Sequence, residues 1–182
     1  DKLCYQYIND HKAFSAPLYY RGYPMSCCTS SNHVVCHGIP SSKILSEGDI
    51  INVDVTAIKD GWHGDTSRMF VVGECSVKAK KLIKVTYEAM MKAIKVIKAN
   101  RKIGDIGNTI QKTVEAEGFS VVRDFCGHGI GKKFHESPNV LHYGEKNSGQ
   151  ELKEGMIFTV EPMINSGKFE TKTLKDGWTA VT

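Results

Sequence analysis

The chain has 182 residues, 41% of them hydrophobic and 24% charged, with 24 Lys and Arg against 20 Asp and Glu for a formal charge of +4. These proportions exclude wholesale disorder, no run reaches the ~18 apolar residues of a membrane helix, and so small a charge does not argue for nucleic acid. Cys4, Cys27, Cys28, Cys36, Cys75 and Cys126 lack C-x-x-C spacing, which favours reduced thiols in a cytoplasmic protein over a disulfide scaffold or a structural zinc site.

In chain order, a first helix is expected from Leu3 to about Ala13, with Leu3, Tyr7 and Ile8 as its apolar stripe; it ends before Pro17, because the residue ahead of a proline is pushed out of the helical region. Ile50 to Ile58 and Trp62 to Val72 read as the strands of a hairpin closed by Asp60-Gly61, a favoured two-residue turn. A helix from Val77 to Asn100 places Leu82, Met90, Ala93, Ile94 and Ile97 on one face and most of its lysines elsewhere, the pattern of a solvated outer face. A third helix from Asp105 to Glu117 turns Ile106, Ile110 and Val114 inward, with Gly118 suited to the position just past its end. No low-complexity linker intervenes, so residues 1–182 read as a single catalytic-sized domain.

The chain also resembles itself. Leu45-Ser46-Glu47-Gly48-Asp49-Ile50-Ile51-Asn52-Val53-Asp54 matches Leu152-Lys153-Glu154-Gly155-Met156-Ile157-Phe158-Thr159-Val160-Glu161 at Leu, Glu, Gly, Ile, Val and a final carboxylate. His37-Gly38-Ile39 and His128-Gly129-Ile130 stand upstream of these runs, and Lys59-Asp60-Gly61-Trp62 and Lys175-Asp176-Gly177-Trp178 downstream. Three matches in one order predict two related halves, roughly residues 30–100 and 101–182, each with a strand that carries one acid.

The hairpin turn fixes a register. With Asp60 and Gly61 as the loop, Thr56 faces Asp65 and Asp54 faces Ser67, so Asp54 and Asp65 become diagonal neighbours on one face with Asn52 and Thr56, while Ile51, Val53 and Val55 are expected to face the core. Two carboxylates that close repel unless a proton or a cation lies between them. The second half adds His128, between glycines that allow close backbone approach, and Glu161. Oxygen ligands with one imidazole suit Mn, Fe, Co or Zn, and bridging carboxylates hold paired ions that activate a water.

Asn52-Val53-Asp54-Val55-Thr56, His63-Gly64-Asp65-Thr66, Cys126-Gly127-His128-Gly129-Ile130-Gly131, Phe134-His135-Glu136 and Thr159-Val160-Glu161-Pro162-Met163 together resemble the signature set of the type I methionine aminopeptidase family, and Val35-Cys36-His37-Gly38-Ile39-Pro40 fits it too. The resemblance implies an α+β, pita-bread fold of two pseudo-symmetric halves around a central curved antiparallel sheet, with a dinuclear centre of two divalent metal ions. It makes Asp54 a bidentate ligand of one ion, Asp65 a bridge between both, and His128 and Glu161 ligands of the other, Glu161 also accepting a proton from the bridging water. It makes His37 and His135 non-ligand histidines that hydrogen-bond the substrate or the tetrahedral intermediate, and Tyr20, Tyr23, Cys28, Phe134 and Trp178 the walls of a methionine pocket. It departs from the family at Pro17, where some members have cysteine, at His33, which replaces an acid, and at Lys132-Lys133, which makes the rim more basic. The family's fifth ligand, a glutamate after the Lys-Asp-Gly-Trp turn, is expected beyond Thr182, so the chain reads as truncated there and before Asp1.

The activity so implied is removal of the initiator methionine from nascent chains and N-terminal Met peptides. The expected setting is a cytoplasmic monomer with transient ribosome contact, no membrane and no specific nucleic acid. Two rivals share the fold: a proline-directed aminopeptidase or prolidase, and a non-catalytic binding module.

Overall fold

The computed structural model describes all 182 residues, which fall into two units. The first comprises Asp1–Ser76, Gly131–Phe134 and Lys172–Val181; the second comprises Val77–Ile130 and His135–Thr171, with Thr182.

The first unit opens with α1 (Lys2–Asp10), followed by β1 (Phe14–Ser15), β2 (Cys28–Ser31), β3 (Val34–Cys36) and the hairpin of β4 (Ile50–Lys59) and β5 (Trp62–Val71). The expected α1 stripe is only partly inward: Ile8 is buried, whereas Leu3 and Tyr7 are exposed. Three apolar residues on a short helix cannot all point to one contact line, and Ala13 and Ala16 beyond its end share the buried role. β4 pairs antiparallel with β5 along one edge and with β1 and β2 along the other. The register puts Thr56 opposite Asp65 and Asp54 opposite Ser67, as the turn chemistry dictates. Asp60 and Gly61 both have positive φ, +52° and +78°, the conformation of a type I′ turn whose twist matches the strands.

On β4 the fully buried positions are Ile50 and Thr56, on the polar side. Ile51, Val53 and Val55 reach only half-burial, and Phe70 opposite Ile51 is 50% exposed. Alternation tells that the two faces differ; it does not tell which one is covered.

The second unit begins with α2 (Val77–Val96) and α3 (Gly104–Glu115), and adds β6 (Ser120–Val121), β7 (Gly127–Gly129), β8 (Glu136–Val140) and β9 (Ile164–Asn165), paired as β6 with β9 and β7 with β8. Its core is built from Val85, Ala89 and Ala93 of α2 against Ile106, Ile110 and Val114 of α3, closed by Phe119, Val121 and Val140. The α3 face is the one expected, and Gly118 sits past its end at φ +79°. On α2 the inner line runs through small residues at positions 85, 89 and 93, with Leu82 and Ile97 against the core. Ile94 is 41% exposed, on the flank of an open apolar groove of about 380 Å³ shared with Ile97, Met156, Ile157, Phe158 and Val160. No helix is long and apolar enough to cross a membrane.

The last strands, β10 (Lys172–Thr173) and β11 (Ala180–Val181), belong to the first unit, where β11 pairs with β3. The internal matches can be compared locally. Asp49 N–H donates to Ser46 O at 3.0 Å and Met156 N–H donates to Lys153 O at 3.3 Å, with Gly48 at φ +92° and Gly155 at φ +85°, so equivalent residues form the same turn. The strand that follows differs: β4 is ten residues long, whereas the segment that leads to Glu161 makes only the single bridge of Phe158 to Gly129 in place of a strand.

Candidate metal and peptide site

In the first unit, Asp54 and Asp65 stand on adjacent strands of one hairpin, two residue pairs apart in register and on the same face. Cys28 of β2 lies opposite Asp54 on the other edge of β4. Burial, with the charges of Asp54 and Asp65 adding to it, pushes the Cys28 thiol up to about 12 against an opposing hydrogen bond from Tyr23, so it remains a thiol at neutral pH.

An aromatic cluster adjoins them. Tyr23 is buried, its hydroxyl hydrogen shared between the carbonyls of Cys27 at 3.0 Å and Gly38 at 3.1 Å, and it meets Trp178 edge-on with ring centroids 5.1 Å apart. Trp178 also faces His37 at 6.4 Å. Tyr20 and Phe134 form a second tilted pair at 5.0 Å. All five expected pocket residues and His37 therefore fall in one unit. His37 has φ +56°, a conformation uncommon outside glycine, and burial holds its imidazole below the usual range, so the ring is neutral near pH 7.

In the second unit, β7 presents His128 between two backbone contacts too close for a side chain. A Cβ at Gly127 would meet Thr159 O, and one at Gly129 would run into Ser137 O. His128 is buried, and its Nδ1 lies 2.9 Å from Gly129 O. A carbonyl only accepts, so the proton sits on Nδ1 and the Nε2 lone pair is aimed outward. Glu161 Oε1 is 3.5 Å from that Nε2. A carboxylate oxygen and an imidazole lone pair turned toward each other suit a shared cation, with Nδ1–H held by a carbonyl as metal-bound imidazoles usually are. A carboxylate oxygen beside one imidazole is a donor set that accepts Mn, Fe, Co or Zn. The residues fit a divalent metal.

Thr159 binds both members of this pair. Its Oγ1 accepts the His128 N–H at 2.9 Å and donates to Glu161 Oε1, while its own N–H donates to His128 O at 2.9 Å. The ring of His135, an exposed residue, lies 4.2 Å from that of His128. His142 was not singled out by sequence reasoning, yet it is 1% exposed and its Nε2 accepts the backbone N–H of Glu161 at 3.2 Å. Burial pushes its imidazole down to about 4, which keeps the acceptor neutral. The one signal for it is alternation: His142 follows the fully buried Val140 by two residues.

A model of metallopeptidase family M24 matches residues 2–181. The chain belongs to that family. The methionine aminopeptidase of Rickettsia prowazekii is 58% identical over 181 residues, which cover 99% of this chain and 70% of the relative. The methionine aminopeptidase of Escherichia coli K12 is 54% identical over 184 residues, 100% of this chain and 70% of its own. The crystal structure of the Rickettsia prowazekii methionine aminopeptidase matches with a TM-score of 0.98 and 57% identity, over 100% of this chain and 73% of that one. The α+β, pita-bread fold expected from the sequence is the fold of the family, and the chain is a metal-dependent hydrolase of peptides by membership.

Proposed function

We propose that this protein is a methionine aminopeptidase that removes the N-terminal methionine of peptides and nascent proteins, with Asp54, Asp65, His128 and Glu161 holding two divalent ions. The observation that carries the reading is the facing pair of His128 Nε2 and Glu161 Oε1 at 3.5 Å in a family M24 chain. Divalent ions bound there would lower the pKa of a water and polarise the scissile carbonyl. Glu161 takes the proton of that water on a carboxylate oxygen, steadied by the Thr159 hydroxyl. His37, neutral through burial, hydrogen-bonds the peptide, and His135 serves the tetrahedral intermediate. Tyr20, Tyr23, Cys28, Phe134 and Trp178 surround the methionine side chain; a protonated thiol and aromatic edges suit a polarizable thioether.

Full-length protein supplied with Mn, Co or Fe should release methionine from Met-Ala or Met-Gly peptides, and Asp65→Asn should abolish release. Preference for Xaa-Pro peptides would instead favour a proline-directed enzyme. Calorimetry that detects no divalent binding would leave a non-catalytic module.

A further inference from the structure

His63 is held far more firmly than its place beside a hairpin turn requires. In β5 it stands opposite Ile58 at a non-hydrogen-bonded pair, so its N–H points away from β4. That N–H donates to Gly131 O at 2.8 Å, and the ring Nδ1 lies 3.0 Å from that same oxygen. The carbonyl accepts in both, so the ring carries its proton on Nδ1 and one carbonyl takes two bonds from one residue. The ring then stacks on Phe134 with centroids 5.7 Å apart and planes 18° from parallel. Phe134 in turn tilts against Tyr20 at 5.0 Å. One residue earlier, Trp62 receives Lys132 Nζ over its ring at 4.4 Å. Gly131 N–H closes the segment on Lys133 O at 3.1 Å. Two consecutive residues of the hairpin thus grip Gly131–Phe134 at both ends, all within the first unit.

We propose that His63 is a positioning residue for substrate specificity: it clamps Gly131–Phe134 so that Phe134 stands fixed against Tyr20 as one wall of the methionine side-chain pocket. The inference rests on the reading of Phe134 and Tyr20 as pocket walls. Methionine and leucine differ in branching rather than polarity, so a pocket separates them by shape alone, and shape discrimination of this size depends on walls that do not yield. An aromatic ring anchored only through its own side-chain torsions can swing to admit a branched side chain. A ring stacked on an imidazole that is itself fixed to the backbone carbonyl three residues ahead of Phe134 cannot swing without giving up that stack.

The test compares kcat/KM for Met-Ala-Ser and Leu-Ala-Ser in the full-length, Mn-loaded protein and its variants, with Mn affinity measured separately by calorimetry. His63→Ala should lower the preference for methionine about 5- to 20-fold, chiefly through a higher KM for the Met peptide, with Mn affinity within about two-fold of wild type. His63→Phe keeps a ring on Phe134 and the backbone bond to Gly131, and should recover most of the preference. His63→Asn keeps a polar donor without the stack and should lose preference as Ala does, which answers the question should His63→Ala fail to fold. Equal losses on both peptides, with an unchanged ratio, would show that His63 only supports the hairpin and would overturn the proposal; so would wild-type preference in His63→Asn. A wild-type protein that cleaves neither peptide overturns the aminopeptidase reading itself, and this inference with it.

Discussion

His128 and His142 have the same side chain and opposite duties, and in each case a single hydrogen bond decides. Gly129 O takes the Nδ1 proton of His128 and leaves Nε2 for a ligand; the Glu161 N–H occupies Nε2 of His142 and leaves that ring an inert, neutral support. Thr159 joins the two donors of the pair more directly. Thr159→Val keeps the shape of the side chain and removes the hydroxyl, so the buried His128 N–H loses its acceptor and Glu161 one of its donors. An unpaired buried N–H costs about 1–3 kcal/mol, and loss of a partner that orients a metal ligand weakens metal binding about 10- to 100-fold. Urea unfolding of the metal-free protein and calorimetric titration with Mn read the two effects separately. Thr159→Ser should keep both properties, and Thr159→Val indistinguishable from wild type in both would show that the hydroxyl positions nothing.

Among the elements, the turns show how far local sequence reaches. Ser46–Asp49 and Lys153–Met156 share both their glycine and their conformation. Asp60-Gly61 and Asp176-Gly177 share sequence but not structure. The first is a two-residue turn with Lys59 paired to Trp62. In the second, Asp176 Oδ1 accepts the N–H groups of Trp178 and Thr179, both at 2.9 Å, and Oδ2 accepts the Thr179 hydroxyl at 2.6 Å, so the side chain shapes a wider loop. The dipeptide was legible as a turn; its type was not, because Thr179 lies outside the motif. The Thr179 hydroxyl and then the Trp178 N–H hold the Asp176 carboxyl below its usual range. A carboxylate with a depressed folded-state pKa contributes fully above the ordinary value of 3.8 and loses that contribution as pH falls through its lower, folded value. The loop is therefore insensitive to pH between 5 and 8 on the score of Asp176 alone. Asp176→Ala releases the backbone that seats Trp178 against Tyr23, and should raise KM for Met peptides about three-fold or more with a smaller change in kcat. Asp176→Asn retains an acceptor oxygen and should fall between. A KM unchanged in Asp176→Ala would mean that Trp178 is held by its ring contacts alone.

Across the whole chain, what could be read from sequence was whatever depends on spacing within an element. The Asp54 and Asp65 register followed from loop length and a period of two, and the inward face of α3 from a period of 3.6. What could not be read depends on partners distant in sequence: the cover over one face of β4, the displacement of Ile94 from the α2 core line, the 68-residue reach from His63 to Gly131 and the 19-residue reach from His142 to Glu161. The proposed metal donors, Asp54, Asp65, His128 and Glu161, are likewise scattered along the sequence. Ions that these side chains hold bind the native chain and not the unfolded one. Their binding free energy is thus added to the stability of the native state, about 2.7 kcal/mol at a free metal concentration a hundred times Kd. Scanning calorimetry of the chelator-treated protein with and without excess Mn should show the unfolding transition move upward, with the size of the shift growing with the logarithm of metal concentration. As proposed metal donors, Asp65→Asn and Glu161→Gln should each blunt the shift. A transition that ignores Mn in the wild type, or one that responds undiminished in either variant, would remove that residue pair from the metal centre.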